Sequence, residues 1–146
     1  MTQDDHVAKI DAMLPGRWDV DALRAGASVC LVMAVPFRVI AAVVGSDSGG
    51  LNALFFLLFV AFFIIGSGCA AWVQRTGTPL SHALVVAIGT YVASEMVFIA
   101  VRFIRGTSIP WFTLFFTLSI ISAAGLIGGY LGNMIQRNGF VPSSRR

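Results

Sequence analysis

Two ionisable side chains of opposite charge lie inside long apolar runs of this sequence. Arg38 falls within "VMAVPFRVIAAVVG" and Glu95 within "GTYVASEMVFIAV". A charged side chain at the centre of a bilayer costs roughly 2.5 to 3.5 kcal/mol on insertion scales, so such a residue is a candidate for an ion pair or for a functional site. The chemistry open to these two residues is ion pairing with each other, or a separate titration of Glu95.

The other side chains that could do chemistry do not form a recognisable site. His82 opens an apolar run without a second metal ligand or a nucleophile nearby in the sequence, so we interpret it as a polar residue at a helix start rather than as a catalytic base. Cys30 and Cys69 lie in apolar runs with no metal-ligand spacing and are expected to be small core residues. No phosphate-binding loop, G-x-S-x-G or H-E-x-x-H motif occurs. The sequence therefore predicts no enzyme, no cofactor and no metal.

Composition determines the solvent around these residues. The 146 residues are 57% hydrophobic and only 12% charged, with a mean hydropathy of +0.83, whereas soluble domains have about 25% charged residues. At about 20 apolar residues per spanning helix, this length can hold four spans and no separate soluble domain. The fold class that we predict is all-α, a polytopic membrane protein built as an antiparallel bundle of four transmembrane helices.

Four apolar runs form a predicted transmembrane domain over residues 22–135. They are separated by short connectors rich in turn residues, "GSDSGG", "QRTGTP" and "RFIRGTSI", so consecutive helices should be antiparallel neighbours. Residues 136–146 are then a polar tail. The predicted spans are approximately 22–44, 51–73, 80–101 and 110–135.

The N-terminal segment, residues 1–21, is polar but carries apolar residues at near-helical spacing up to the Pro-Gly pair at 15 and 16. This pattern is typical of a short amphipathic helix on the membrane surface. A solvated tail is the alternative.

The placement of basic residues predicts the orientation. With four spans, both termini and the second connector lie on one side, which carries seven of the basic residues, whereas the opposite side carries Arg102 and Arg105. The positive-inside rule then places both termini in the cytoplasm. Because the cations flank the spans, we expect a lipid bilayer and no nucleic acid as their partner. The seven are Lys9, Arg17, Arg24, Arg75, Arg137, Arg145 and Arg146.

Arg38 and Glu95 should lie at matching depth. Each precedes the predicted end of its helix by six residues, which is about 9 Å at 1.5 Å per residue, and the first and third helices run in the same direction. We therefore predict an intramembrane ion pair, which relieves the desolvation cost of both residues. Two alternatives stay open: Arg38 reaches the headgroups while Glu95 bonds to Ser or Thr, or Glu95 titrates separately.

Small residues on the second and fourth helices predict close helix packing. Residues with small side chains recur at intervals of four, which leaves one face of each helix nearly bare and lets another helix approach. This packing could lie within the bundle or between chains. The predicted packing residues are Gly66, Ala70, Ala124, Gly125, Gly128, Gly129 and Gly132.

Two stretches, "GSGCAAWVQRTGTPLSHALVVAIGTYV" and "GLIGGYLGNMI", resemble the small four-helix bacterial membrane proteins of the YrzE-like type. In that group a small-residue second helix, a histidine at the start of the third and a double-glycine fourth helix recur. The stretches cover about a quarter of the chain. The resemblance implies the four-helix architecture and a location in the bacterial inner membrane, and it implies no known activity.

The sequence leads to two functional hypotheses. The first is a non-enzymatic accessory or assembly subunit that packs through its glycine-rich helices against itself or against a larger membrane protein. The alternative is a small homo-oligomeric transporter or channel that uses Glu95. Small four-helix multidrug transporters have a membrane-embedded glutamate in the first helix, whereas here the glutamate is in the third helix with an arginine at matching depth, which disfavours proton exchange.

Overall fold

A computed structural model describes residues 18–44 and 49–140 of the chain. These residues form four helices: α1 (Val20–Val44), α2 (Gly49–Val73), α3 (Pro79–Ile104) and α4 (Trp111–Arg137). Each helix is long and apolar enough to cross a membrane, and the described residues contain no strand. The predicted all-α four-helix membrane bundle is thereby confirmed. The predicted amphipathic helix before residue 18 and the tail after residue 140 lie outside the described residues.

The helix ends differ from the predicted ones by up to three residues. The third helix continues to Ile104 rather than to residue 101, because helical hydrogen bonding persists beyond the apolar run: the Arg105 N–H donates to the Val101 carbonyl at 3.1 Å. The chain then turns at Gly106, whose φ of +64° is the left-handed conformation that favours glycine. The fourth helix begins at Trp111 and not at Pro110, whose ψ of 74° is not helical.

The first helix begins at Val20, two residues before its predicted start, because Asp19 caps it. Asp19 Oδ1 accepts a hydrogen bond from the Ala22 N–H at 3.2 Å, and Oδ2 accepts one from the Arg75 N–H at 3.0 Å. An aspartate at this position satisfies backbone donors that a helix leaves unpaired at its start. The same carboxylate also ties the start of α1 to the connection between α2 and α3.

The helices pack as a diamond. The two central helices, α2 and α3, contact each other and both outer helices, whereas α1 and α4 do not contact each other in the part of the chain described. We call the end of the bundle that holds Trp18, residues 74–78 and Asn138 the terminal end, and the other end the opposite end. Because α1 and α4 do not contact each other among the described residues, space can open inside the bundle between them.

At the terminal end, small residues bring α1, α2 and α4 almost into backbone contact. A Cβ atom added to Gly26 of α1 would lie 2.7 Å from the Gly66 carbonyl oxygen, and one added to Gly132 of α4 would clash with the Gly68 carbonyl oxygen. Added Cβ atoms at Gly66 and Gly128 would clash with Cys30 and with Ser67. Such close approach requires glycine at these positions.

The contact between α3 and α4 uses the other predicted small residues. A Cβ atom at Gly125 or at Gly129 would lie 2.7 Å from the Cβ atom of Ala87 or Ala83, respectively. Ala70 and Ala124 are also buried. The structure therefore places all seven predicted packing residues inside the bundle of one chain.

Toward the opposite end, larger side chains separate the helices. Phe59 and Phe63 of α2 pack with ring centroids 5.0 Å apart, and Tyr91 lies beside Phe63 at 6.5 Å. Phe37 of α1 packs on Phe62 at 4.9 Å. The bundle is therefore tightly closed at its terminal end and wider at its opposite end.

Candidate functional site

Arg38 and Glu95 form an ion pair between α1 and α3, in which Nη1 of the arginine contacts Oε1 of the glutamate. The Glu95 side chain is only 7% exposed, whereas 31% of the Arg38 side chain is exposed. The structure thus brings together the two residues that the sequence predicted to pair. The arginine is the member of the pair that an incoming group meets first.

Aromatic rings hold the Arg38 guanidinium in the bundle. Its Cζ atom lies 5.0 Å from the ring centroid of Phe98 and 5.6 Å from that of Phe59, within the range of cation–π attraction. The neighbouring hydroxyl of Ser94 donates to the Tyr91 carbonyl at 2.8 Å and not to Glu95. In this arrangement Arg38 pairs with Glu95 rather than leaving it for the headgroups, while a separate titration of Glu95 stays a prediction.

Polar residues of α3 and α4 surround the pair. The Tyr91 hydroxyl donates to the Leu114 carbonyl at 3.0 Å, and the site also includes Thr113 and Thr117. Sequence analysis did not predict these three residues as part of the site. Their spacing held a signal, since Tyr91 precedes Glu95 by four residues and Thr113 precedes Thr117 by four, which places each pair on one helix face.

Three adjoining cavities surround the ion pair at the opposite end. The central cavity, of about 90 Å³, lies between α1, α3 and α4 and is bordered by Arg38, Glu95, Arg102, Thr113 and Thr117. The α2-side cavity, of about 210 Å³, shares Arg38 and both threonines with it and is otherwise mostly aromatic. The α3-side cavity, of about 220 Å³, shares Tyr91 and Glu95 with the central cavity and is lined by apolar residues beyond them. The central cavity can hold several water molecules or one small polar group.

The formal charge of the central cavity is positive. Arg38 and Arg102 carry one positive charge each and Glu95 carries one negative charge, so the lining has a net charge of +1. Arg102 lies at the rim, where Nη1 donates to the Ser108 carbonyl at 3.2 Å. The cavity is therefore suited to attract a negatively charged or strongly polar group.

At the terminal end, His82 joins α1 to α3. The buried imidazole accepts a hydrogen bond at Nε2 from the Asp19 N–H at 2.9 Å, and Nδ1 lies 2.9 Å from the Thr78 carbonyl oxygen. Because a carbonyl can only accept, Nδ1 must carry the proton. Trp18 packs on the ring with centroids 5.2 Å apart. Both ring nitrogens thus have structural partners, which agrees with the interpretation of His82 as a polar residue at a helix start.

A second polar contact at this end was not predicted. Gln74 is 1% exposed, and its Nε2 donates to Gln136 Oε1 at 3.3 Å, while Gln136 Nε2 donates to the Gln74 carbonyl at 2.9 Å. Trp72 Nε1 donates to the Phe140 carbonyl at 2.6 Å. These bonds join the end of α2 to the end of α4. We call the Asp19, His82, Gln74, Gln136 and Trp72 contacts the terminal clasp.

The structure offers no metal site: within residues 18–44 and 49–140, no three His, Cys, Asp or Glu side chains come together as a metal site requires. Cys30 is buried and Cys69 is half-buried, and both are free thiols. In the described part of the chain, polar side chains come together in two places, the ion-pair site and the terminal clasp.

These features define the class of the protein as a multi-pass membrane bundle of four helices with an internal ion pair. No family model, no characterised protein and no solved structure matches this chain. The resemblance to the YrzE-like proteins therefore stays a prediction.

Proposed function

We propose that this chain is a non-enzymatic membrane protein that binds a small ligand in the central cavity, where the Arg38–Glu95 pair recognises it. The observation that carries the proposal is the position of the pair at the border of open space. A pair that served only to join two helices would be packed on all sides, whereas Arg38 lines both the central and the α2-side cavity. Buried charges beside a cavity are a common feature of binding sites.

Binding explains the geometry better than proton-coupled transport does. The Glu95 carboxylate is in contact with Arg38 in the closed part of the site, so it is already engaged by a cation. A proton-exchanging carboxylate alternates between a free and a bound state, and an arginine in contact opposes that alternation. A homo-oligomeric transporter that uses Glu95 is therefore the weaker form of this proposal.

The test is to purify the full chain from its native membrane in a mild detergent and to identify the small molecules retained by mass spectrometry. The variant is the double substitution Arg38→Gln with Glu95→Gln, which removes both charges without leaving one unpaired. We expect the parent protein to retain a compound in a stoichiometric amount and the variant to lose it at unchanged helicity. Equal retention by both proteins, or retention of nothing by either, would refute the proposal.

An accessory subunit is the second candidate, and the exposure of α1 favours it. Among the described residues this helix packs on α2 and α3 only. Its outer face is a band of exposed apolar side chains that could meet lipid or another membrane protein: Leu31, Val32, Met33, Val39 and Ile40. The glycine-rich faces predicted for this role are occupied within the chain, so a partner would use an exposed apolar face, of which the outer face of α1 is one. Mass spectrometry of proteins that accompany the purified chain tests this candidate, which predicts a larger protein in constant ratio.

We propose that the protein is located in the bacterial inner membrane with both termini in the cytoplasm. Arg24, Arg75 and Arg137 support it at the terminal end, against Arg102 and Arg105 at the other. In this orientation the central cavity lies in the outer half of the membrane. Labelling of Thr107→Cys by an impermeant maleimide in whole cells tests this location, because reaction at residue 107 is expected only if that loop faces outward.

A further inference from the structure

We propose that the ligand of the central cavity is the anionic headgroup of a membrane lipid, contacted by Arg38 and Arg102, with its apolar tail in the α3-side cavity. This inference rests on the proposed function and adds the charge and the chemical class of the ligand. It is carried by the juxtaposition of a cationic chamber and an apolar groove that opens toward the bilayer.

The charge of the chamber selects an anion. Glu95 is the only acidic residue that borders the central cavity, and it is already in contact with Arg38, while Arg102 forms no salt bridge with it in the part of the chain described. A cationic ligand would meet two guanidinium groups and one carboxylate that is already paired. An anionic ligand brings the net charge of +1 to zero in a place where water is scarce.

The guanidinium of Arg38 has donors available for such a ligand. It carries five N–H groups, and the ion pair with one carboxylate oxygen of Glu95 occupies only part of them. Arginine binds phosphate through two parallel hydrogen bonds, and the planar fork of the guanidinium fixes the direction of approach. Glu95 and the rings of Phe59 and Phe98 hold that fork in place before a ligand arrives.

The α3-side cavity accounts for a lipid rather than for free phosphate. It shares Glu95, Ile99 and Leu114 with the central cavity, so the two spaces adjoin at these side chains, and its other walls are apolar. Its outer wall includes Met96, Trp111 and Phe115, which are 63%, 57% and 64% exposed. A free anion has no apolar part that could bind in this groove, whereas a lipid entering sideways between α3 and α4 would fill it with its acyl chain.

Fluorescence quenching tests the inference, because Trp111 lines the groove proposed for the tail. The full chain is reconstituted in phosphatidylcholine vesicles with a rising fraction of lipid brominated on its acyl chains, either phosphatidylglycerol or phosphatidylcholine. The signal of Trp111 is obtained by difference from Trp111→Phe. We expect brominated phosphatidylglycerol to reach half-maximal quenching at about a tenfold lower mole fraction than brominated phosphatidylcholine, as expected for one charge-assisted contact.

Arg102→Gln should abolish this preference, and the matched control Arg105→Gln should keep it. Both arginines are exposed at the opposite end, but only Arg102 borders the central cavity. Arg102 makes no contact with Glu95 at ion-pair distance, so its replacement leaves the Arg38–Glu95 pair in place.

Three results would overturn the inference. Equal loss in the two arginine variants would mean a general attraction to surface charge, and release of the quenching by millimolar inorganic phosphate would mean a headgroup site without a tail groove. Equal quenching by both lipids would mean that the ligand is not anionic. The proposed function would still stand in that case if the parent protein retains a compound that Arg38→Gln/Glu95→Gln loses. If the retention experiment also fails, both the inference and the proposed function are refuted.

Discussion

The two members of the Arg38–Glu95 pair should contribute unequally when they are replaced one at a time. Arg38→Gln leaves the Glu95 side chain, which is 7% exposed, without its partner. Loss of one partner from a buried pair costs about 3 to 5 kcal/mol. Glu95→Gln instead leaves an arginine whose side chain is 31% exposed and which can still contact two aromatic rings and extend toward the headgroups. Discounting for that exposure gives about 1 to 2 kcal/mol.

The double variant should recover most of the loss caused by Arg38→Gln, since no charge is then left unpaired. It should still lack the two cation–π contacts, which contribute roughly 0.5 to 1 kcal/mol each. The coupling free energy expected from the four proteins is therefore about 2 kcal/mol or more. A charge swap, Arg38→Glu with Glu95→Arg, should recover part of it, because the exposed fractions of the two positions differ.

The assay is reversible unfolding of the purified chain in mixed micelles by increasing SDS, followed by helicity and by the yield of monodisperse protein. Three results would refute the reasoning: losses that simply add in the double variant, a swap that rescues nothing, or a larger loss for Glu95→Gln than for Arg38→Gln. The last of these would mean that the carboxylate is accessible to water and that the cavity is wetter than its lining indicates.

Three further predictions concern the rest of the molecule. Gly128→Ala should lower the free energy of unfolding by about 2 kcal/mol or more, because its Cβ would clash with Ser67 and the Ile64 carbonyl. In the same SDS titration the control Gly89→Ala, whose Cβ would meet no atom of a neighbouring helix within 4 Å, should be neutral or stabilise by up to about 1 kcal/mol. Equal effects of the two substitutions would contradict the contact of α2 with α4. His82→Ala should lower the free energy of unfolding by about 2 kcal/mol or more, because it leaves buried hydrogen-bond partners unpaired, whereas the control Ser81→Ala should leave it unchanged. Equal midpoints of the SDS titration for the two variants would show that the terminal clasp does not stabilise the bundle. In a background with Cys30 and Cys69 replaced by alanine, Thr113→Cys should react with a small thiol reagent, because Thr113 borders two cavities. Thr90→Cys should not react, because Thr90 is buried and its hydroxyl donates to the Val86 carbonyl at 2.6 Å. Protection of both thiols would mean that the site is closed to the reagent.

The spans and the matching depth of Arg38 and Glu95 were predictable because each depends on position along the chain alone. Four apolar runs of sufficient length fix the number of helices, and their direction fixes which residues share a depth. The prediction survived an error of three residues at the end of α3, which is about 4.5 Å along the axis, because an extended arginine side chain spans that difference. Helix length and depth are thus the part of this fold that hydropathy determines.

The terminal clasp and the cavities were not predictable because they depend on how each helix is rotated about its axis. Gln74 and Gln136 are 62 residues apart and meet only because the glycine contacts set the rotation and the height of α4 against α2. A glutamine at a helix end is typical of an interface residue facing water, so nothing in its local sequence indicates burial. The same rotation turns Thr113 and Thr117 toward Arg38, on a helix whose other faces carry exposed phenylalanines.

The asymmetry between the two ends of the bundle follows from side-chain volume and has a functional consequence. At the terminal end, close backbone contacts and the clasp leave neighbouring helices little freedom to separate, since any opening must break buried hydrogen bonds together with tight packing. At the opposite end, bulky rings already hold the helices apart, and α1 and α4 do not touch in the described part of the chain. Movement that admits a ligand therefore costs least at the opposite end, where the ion pair lies. Cross-linking Met96→Cys to Phe115→Cys with a bifunctional thiol reagent, across the α3-side cavity, should abolish the proposed binding while leaving the fold intact. The same ligand affinity before and after cross-linking would show that the ligand enters elsewhere.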